Sequence, residues 1–252
     1  MPSFQVRTNQ DELMDDFSIT DDRLTSALEQ LRWVNRFLGG YSAPLSILKP
    51  LLRASASSTP SQPLRILDLG TGIADLPEVI VRWAHQQTPA LAVEIVAVDA
   101  NPVTVDYARQ ALNKRLSPPL ASRITVEVAD ALALPYPTDS FDVVMASMFL
   151  HHFAEANAIL IVQAMQRIAR NGIIINDLHR HPLAYYGIYS LTRLLPASPM
   201  VQNDGPLSVL RGFEASDLKT IARGAGLQSF SLRWCWAFRW LLSTVNLSSA
   251  TP

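Results

Sequence analysis

The sequence predicts an α/β domain built on a doubly wound, mostly parallel sheet of seven strands. Between residues 64 and 178, short apolar runs alternate with stretches in which apolar residues recur at helical spacing. Such alternation is typical of βαβ units, in which helices join successive parallel strands. A Gly-x-Gly turn after the first apolar run and polar residues after the later runs indicate that a ligand binds at the carboxyl ends of the strands.

The composition argues against several classes of protein. The chain has 252 residues, 48% hydrophobic and 17% charged, with a formal net charge of −1. It has no run of Lys or Arg, which argues against broad contact with nucleic acid. Its single cysteine, Cys235, excludes an internal disulfide. Because we find neither a signal peptide nor an apolar run of about 20 residues, we expect a cytoplasmic protein without stable membrane insertion.

The first 63 residues are predicted to form a helical lid and a linker. Apolar residues recur at helical spacing within 24–38, and Thr20 is the expected N-cap of this helix. A shorter helix is expected after Pro44, followed by a polar linker over 54–63. The acidic residues near the N-terminus, Asp15 among them, are expected to form a solvated face.

The remaining elements are predicted in order along 64–252, the expected cofactor-binding domain. The expected parallel strands are 64–70, 91–99, 123–130, 141–148 and 173–177. Helices are expected at 75–87, from Pro102 with Asn101 as N-cap, at 154–170, and at 214–227 with Ser216 as N-cap. Residues 179–212 break the alternation and are expected to form a substrate-cap insertion. Two final runs, near 227–234 and 236–244, should pair as an antiparallel edge.

The turn after the first strand lies in ILDLGTGIADLP, residues 66–77. Gly70 and Gly72 would let the backbone approach a ligand closely, because glycine has no Cβ. A dinucleotide loop has a third glycine further on, where this chain has Ala74 and Asp75. A carboxylate at this position would repel a pyrophosphate but suits a cationic ligand.

Further acids are predicted at the strand ends. Asp68, just before the turn, adds a second negative group. Asp99 ends the second strand, where a carboxylate can accept both hydroxyls of a ribose. Asp130 ends the third strand and fits recognition of the amino group of adenine. Adenine, ribose and a positive centre without a pyrophosphate describe S-adenosylmethionine.

Over residues 64–178 the chain resembles the class I S-adenosylmethionine-dependent methyltransferases. Its Gly-x-Gly turn resembles their first motif, and VADALALPYPTDSFDVV resembles their DAxxLPFxxxSFDxV block, in which the acid and the next residue meet adenine. The resemblance implies a Rossmann-like fold and S-adenosylmethionine as the cofactor. The predicted cofactor-binding residues are Asp68, Gly70, Thr71, Gly72, Asp75, Asp99, Ala100, Asp130, Ala131 and Ser147.

Histidines cluster at two adjacent strand ends. His151 and His152 follow the fourth strand, and His179 follows the fifth beside Asp177. Methyl transfer to a hydroxyl requires removal of a proton, a task that suits histidine. Small-molecule O-methyltransferases with a similar LHH use a His–Asp pair as base, which implies His151 or His152 with Asp177 here. We expect one histidine to face the acceptor and favour His151, with His179 as a further candidate; we predict no metal site.

The sequence therefore predicts S-adenosylmethionine-dependent methylation of a hydroxyl on a small aromatic, phenolic or polyketide-like molecule. Residues 176–213 resemble small-molecule methyltransferases of bacterial aromatic or type III polyketide pathways, which implies a role in secondary metabolism. Four alternatives stay open at this point. They are C-methylation, N-methylation, nicotinamide-dependent oxidoreduction, and non-catalytic cofactor binding that acts through partners. The expected partner is the small-molecule acceptor, with a homodimer also possible.

Overall fold

One seven-stranded sheet organises the protein, whose computed structural model describes residues 2–58 and 62–246. The strands are β1 (Leu64–Leu69), β2 (Val93–Asp99), β3 (Ile124–Val128), β4 (Val143–Ser147), β5 (Ile173–Leu178), β6 (Ser231–Cys235) and β7 (Arg239–Ser243). Their order is β3-β2-β1-β4-β5-β7-β6. The first five strands pair in parallel, and β7 joins β5 and β6 antiparallel. The predicted doubly wound, mostly parallel sheet is confirmed.

Helices connect and cover these strands. Those in the described residues are α1 (Asp22–Phe37), α2 (Ser42–Ser58), α3 (Asp75–His85), α4 (Pro102–Arg115), α5 (Pro118–Ala121), α6 (Glu155–Ile168), α7 (Pro182–Leu194), α8 (Pro199–Arg211) and α9 (Ala215–Gly224). Two short 3-10 turns, Leu13–Asp15 and Leu150–His152, lie outside them. No helix in the described ranges is both long and apolar enough to cross a membrane.

The two faces of the sheet contribute to two apolar cores. Ile66 of β1 packs in a cluster with residues of α2, α3 and α4, whereas Leu67 and Leu69 pack in a second cluster with α6 and α9. Strands buried on both faces are apolar at successive positions, which explains the near-continuous apolar runs of the sequence. Because helices cover both faces, a ligand reaches the sheet at the carboxyl ends of its strands.

Two helix starts differ from the sequence predictions. The N-cap of α1 is Asp21 rather than Thr20, because the Asp21 carboxylate accepts a hydrogen bond from the amide of Arg23. The N-cap of α9 is Glu214 rather than Ser216. Glu214 and Asp217 form a reciprocal capping box, so Ser216 lies inside the first turn of the helix.

The segment before β1 is more helical than predicted. Helix α2 continues through residues 54–58, which the sequence assigned to a polar linker. Alanine and leucine are strong helix formers, and the LLRASAS run contains enough of them to extend the helix. The middle of the predicted linker, 59–61, lies outside the described residues. Leu48 and Leu52 of α2 are buried against the sheet, so this helix forms part of the covering layer.

Candidate active site

A cavity of about 420 Å³ opens at the carboxyl ends of the central strands. The strand ends contribute its floor, with the turn after β1, Asp99 of β2 and Ser147 of β4. The N-terminal segment and α1 contribute apolar side chains opposite, namely Met14, Phe17, Leu24, Leu28 and Leu31. Its volume falls in the range of about 300–1,000 Å³ that small-molecule sites occupy.

The turn between β1 and α3 requires its glycines. Gly70 and Gly72 have φ values of +64° and +54°, in the left-handed region that glycine adopts without strain. A Cβ on Gly70 would overlap the aromatic ring of Phe149. The glycine therefore lets the Phe149 ring pack against the backbone at the cavity wall, and the turn exposes its backbone to a ligand.

Asp99 lines the cavity with its carboxylate held in a fixed orientation. Its two carboxylate oxygens each accept one backbone N–H, from Gly72 and from Asn101, both at 3.0 Å. These bonds fix the plane of the carboxylate and leave further lone pairs on both oxygens for hydroxyl donors. Burial raises the pKa of Asp99, and a pair of charge-assisted hydrogen bonds from a diol would stabilise its ionised form.

Two more acids lie beside the glycine turn. Asp68 is buried and accepts a hydrogen bond from the Thr71 hydroxyl at 2.7 Å, and burial raises its pKa to about 8. Asp75 accepts a hydrogen bond from the Tyr41 hydroxyl at 2.7 Å, and burial raises its pKa as well. Acids that burial makes costly to ionise would be stabilised in their charged form by a bound cation. This chemistry fits the positive centre of S-adenosylmethionine.

The remaining predicted cofactor residues also meet at the cavity. Ala100, Asp130, Ala131 and Ser147 line it, and only Asp68 of the predicted set lies behind the wall. The carboxylate of Asp130 accepts the amide of Leu132 at 2.9 Å and is exposed at the cavity rim. The glycine turn, the fixed carboxylate of Asp99 and the acids Asp68 and Asp75 together fit S-adenosylmethionine.

His152 is the histidine that lines the cavity. Its Nδ1 lies 2.7 Å from a carboxylate oxygen of Asp15, which the N-terminal 3-10 turn supplies. The other oxygen of Asp15 accepts a hydrogen bond from Arg211 at 2.7 Å. Burial alone would raise the pKa of Asp15, but His152 and Arg211 lower it to about 2. The ionised Asp15 therefore orients the imidazole of His152.

His151 lies behind the cavity wall, which corrects our preference for it as the residue facing the acceptor. Only 2% of its surface is exposed. Its Nδ1 lies 2.7 Å from Asp177, so the predicted pair with this carboxylate forms, but Nε2 points to Glu12 at 3.6 Å. Burial would lower the pKa of His151, yet the two carboxylates raise it to about 9. The protonated imidazolium of His151 therefore forms a buried ion-pair network with the carboxylates of Asp177 and Glu12, behind the cavity wall.

His179 is the predicted catalytic residue that lies furthest from this arrangement. Its backbone N–H bonds the carbonyl of Phe238 at 2.9 Å, which directs the chain after β5 toward the β6–β7 hairpin. There the His179 ring packs against Trp240 and accepts the indole N–H of Trp234 at 3.3 Å. His179 does not line the cavity but packs against the β6–β7 hairpin.

Three side chains in the described residues have the geometry to hold a metal ion. Glu12, His151 and His152 each bring one ligand atom to within 4.8 Å of the others. The Nε atom of Arg211, however, lies 4.0 Å from the Glu12 carboxylate. A guanidinium at this position opposes a divalent cation by Coulomb repulsion, and we interpret the cluster as an ion-pair network.

The N-terminal acids are the part of the site that the sequence reasoning missed. We expected Asp15 to lie on a solvated face, whereas it contacts His152; Glu12, near it in sequence, is buried. The two partners Asp15 and His152 are 137 positions apart, so no local motif links them. The only signal in the sequence was the two adjacent histidines, of which only one could pair with Asp177. A buried, charged histidine requires a carboxylate partner.

The comparisons with known proteins agree with this geometry. Residues 66–172 match the family described as "Methyltransferase domain". The chain is similar to a demethylmenaquinone methyltransferase of Deinococcus radiodurans, with 38% identity over 103 residues. It is also similar to the ubiquinone/menaquinone biosynthesis C-methyltransferase UbiE of Geobacter sulfurreducens, with 40% identity over 78 residues. The first match covers 40% of this chain and 38% of the relative, and the second covers 31% and 27%.

Solved structures share the fold at low sequence identity. A SAM dependent methyltransferase from Aquifex aeolicus superposes with a TM-score of 0.52 and 15% identity, covering 80% of this chain and 91% of the other. A magnesium protoporphyrin IX methyltransferase from Synechocystis with bound SAH gives 0.52 and 14%, covering 80% and 83%. Residues 66–172 thus match a methyltransferase domain family, and the chain shares the fold of solved S-adenosylmethionine-dependent methyltransferases.

Proposed function

We propose that the protein transfers a methyl group from S-adenosylmethionine to a small aromatic molecule with an ionisable hydroxyl, and that His152 is the base. The observation that carries this proposal is the placement of the His152 imidazole on the cavity wall with its Nδ1 fixed by Asp15. It shares that wall with the glycine turn and Asp99. One cavity therefore offers both a cofactor cradle and a positioned base.

The cofactor end of the cavity is assigned to the predicted residues that line it. Asp99 would accept both ribose hydroxyls, and Asp130 at the rim would meet the amino group of adenine. Asp75 would face the positively charged portion, and Asp68, behind the wall, would add its negative charge to this end of the cavity. When bound there, S-adenosylmethionine supplies an activated methyl group on a sulfonium centre. Every one of these acids already has its carboxylate held by a hydrogen bond within the protein.

The acceptor end of the cavity is apolar and aromatic. Its wall includes Met14, Phe17, Leu28, Leu31, Phe149 and Phe153. A flat aromatic acceptor would bury its ring against these side chains while one hydroxyl points to His152. Binding the acceptor in line with the methyl group converts a bimolecular step into a unimolecular one, an effect worth about 7–11 kcal/mol.

The base works through the free nitrogen of its ring. Because Nδ1 of His152 bonds the ionised Asp15, a neutral ring carries its proton there and leaves Nε2 as the acceptor. Nε2 would take the hydroxyl proton as the methyl group arrives at the acceptor. Asp15 then stabilises the imidazolium that forms. General-base catalysis of this kind contributes about 10²–10⁴-fold in rate.

The hydroxyl oxygen is the acceptor atom that we propose first. A ring carbon next to the hydroxyl is the second candidate, and the printed names of the two curated relatives favour it, since one is a C-methyltransferase and the other acts on demethylmenaquinone. Deprotonation by His152 serves both outcomes, because an aromatic oxyanion is nucleophilic at oxygen and at the adjacent carbon. The matched segments cover less than half of each relative, so the acceptor atom is a question for experiment.

The proposal is tested with the purified full chain, S-adenosylmethionine carrying a 13C-labelled methyl group, and a panel of phenols, dihydroxynaphthalenes and hydroquinones. We expect S-adenosylhomocysteine to bind at tens of micromolar or tighter by calorimetry, and labelled product to form with at least one acceptor class. The 13C chemical shift separates an O-methyl from a C-methyl product. Absence of S-adenosylhomocysteine binding, or a thermal shift with a nicotinamide dinucleotide instead, would contradict the proposal.

A further inference from the structure

A group of large apolar side chains lies exposed on the side of the molecule formed by the end of α1, the β6–β7 hairpin and α7. We call this group the aromatic patch, and it consists of Trp33, Phe37, Leu183, Trp234 and Trp236. Their exposed fractions are 58%, 65%, 67%, 47% and 68%. Single exposed apolar residues are common, but clustered ones mark interaction surfaces.

Contacts join the members of the aromatic patch across three elements. Trp33 and Phe37 stack on α1 with ring centroids 5.8 Å apart. Gly39, two residues beyond Phe37, packs against the carbonyl of Trp236 in the hairpin. The chain after α1 therefore lies against the backbone at the tip of the hairpin.

The hairpin is connected to α7 in the same way. Phe238 lies 5.9 Å from Trp234 and stacks on His181 at 5.0 Å. His181 is the N-cap of α7, so Leu183 follows in the first turn of that helix. The outer face of α7 extends the apolar surface, because Tyr186, Tyr189 and Leu194 are exposed along it.

The stretches of chain that meet at this surface contribute cations but no acids. They are 30–53, 178–203 and 228–246, and none of them contains an aspartate or glutamate. They do contain exposed arginines, among them Arg36 on α1 and Arg193 on α7. The exposed Glu214 beside His179 belongs to a neighbouring segment, so the surface carries an excess of positive charge in a chain whose net charge is −1.

We propose that the aromatic patch and its arginines bind the surface of an anionic lipid bilayer. Tryptophan and tyrosine favour the interface between water and lipid, because their rings are apolar and carry one polar atom. Arginines around such residues attract anionic headgroups, each contributing a factor of about five in affinity. The contact is peripheral, because it uses exposed side chains of a folded domain and no spanning helix.

Helix α1 connects this surface to the cavity. Trp33 and Phe37 lie in the aromatic patch, whereas Leu28 and Leu31 of the same helix line the cavity. A bilayer contact would thus place the cavity close to apolar molecules dissolved in the membrane. This last point rests on the proposed function, but lipid binding itself does not and can be measured without any methyl acceptor.

The test is co-sedimentation of the full chain with vesicles of phosphatidylcholine containing about a third phosphatidylglycerol. We expect binding that falls sharply with added salt and is weak on pure phosphatidylcholine. The double variant R36Q/R193Q should bind about 25-fold more weakly, from a factor of about five per arginine. R123Q, which removes an exposed arginine outside the patch, is the matched control and should bind as the wild type.

The apolar contribution is tested separately with W236S/L183S and the control L160S, since Leu160 is 54% exposed on α6. The patch variant should lose vesicle binding, and the control should keep it, with melting temperatures of both close to that of the wild type. Brominated lipid should quench the tryptophan fluorescence of the wild type. Equal binding by patch variants and wild type would overturn the proposal, as would a wild-type dimer that the patch variants dissociate.

Discussion

At the scale of single residues, two neighbouring histidines have different tasks because their carboxylate partners differ. His151 is held between Asp177 and Glu12 away from the cavity, whereas His152 lines the cavity and pairs with Asp15. The sequence predicted that only one of the pair would face the acceptor, since adjacent side chains diverge. It could not predict which one, because Glu12 and Asp15 belong to a distant segment whose docking no local pattern encodes.

His151 should make stability depend on pH. Its pKa is raised from 6.5 to about 9 by Asp177 and Glu12 despite burial. A raised histidine pKa stabilises the folded state fully below about pH 6.5, and this contribution is lost as pH rises through 9. At 1.36 kcal/mol per pKa unit, the wild type should lose about 3 kcal/mol of unfolding free energy between pH 6 and pH 10 from this group.

Urea unfolding of the wild type and H151Q at both pH values measures this effect. The variant should be less stable at pH 6 and should lack the additional loss at higher pH. If the unfolding free energies of both proteins declined identically as pH rises, His151 would not be the group responsible.

Asp99 should set the affinity for the cofactor. Because D99A removes a carboxylate that can accept two ribose hydroxyls, and charge-assisted bonds are worth about 1.5–3 kcal/mol each, S-adenosylhomocysteine should bind at least about tenfold more weakly. Calorimetry measures this loss. E94A removes an exposed acid from the same strand and should bind normally. An unchanged affinity of D99A for S-adenosylhomocysteine would contradict the assignment of Asp99 to the ribose hydroxyls.

At the scale of elements, the N-terminal 3-10 turn is the piece that completes the site. Both carboxylate oxygens of Asp204 on α8 accept amides of this turn, from Leu13 at 2.8 Å and from Met14 at 3.1 Å. Asp204 is only 2% exposed, and burial raises its pKa. The turn is therefore fixed by a buried carboxylate of the predicted insertion, and it fixes Asp15 in its place beside His152.

Asp204 should consequently affect catalysis without touching the cavity. D204A frees the turn, so Asp15 would no longer orient His152, and kcat should fall by up to about 100-fold, as small misplacements of catalytic groups can cause. The affinity for S-adenosylhomocysteine should change little. Steady-state kinetics and calorimetry separate the two effects, with D106A as a control on an exposed acid of α4. A loss of cofactor affinity equal to the loss of kcat would show a general structural role instead.

The elements between residues 64 and 178 were predictable because each signal is local. Alternation of apolar runs located the parallel strands, and Asn101 with Pro102 predicted the N-cap of α4, where the Asn101 side chain accepts the amide of Val103 at 2.9 Å. The position of His179 was not predictable in this way. It depends on antiparallel pairing between β5 and β7, which are more than 60 positions apart.

At the scale of the whole molecule, the strand order determines where the chemistry lies. The order in which strands are added reverses between β1 and β4, and the crevice outside the carboxyl ends of these parallel strands is where ligands bind in such folds. The glycine turn, Asp99 and His152 all reach this crevice, although they come from different strands. The N-terminal segment and α1 line the crevice on the opposite side, so the proposed cofactor and acceptor regions belong to one cavity.

The measurement that tests this account most directly is the rate of methyl transfer by H152Q, at saturating S-adenosylmethionine and with an acceptor that the wild type methylates. The account predicts a fall in kcat of about 10²–10⁴-fold, with the affinity for S-adenosylhomocysteine within twofold of the wild-type value. H151Q, assayed without urea at a pH and temperature at which its own unfolding curve shows it to be folded, should retain far more activity. An H152Q variant with wild-type kcat would contradict the assignment of His152 as the base.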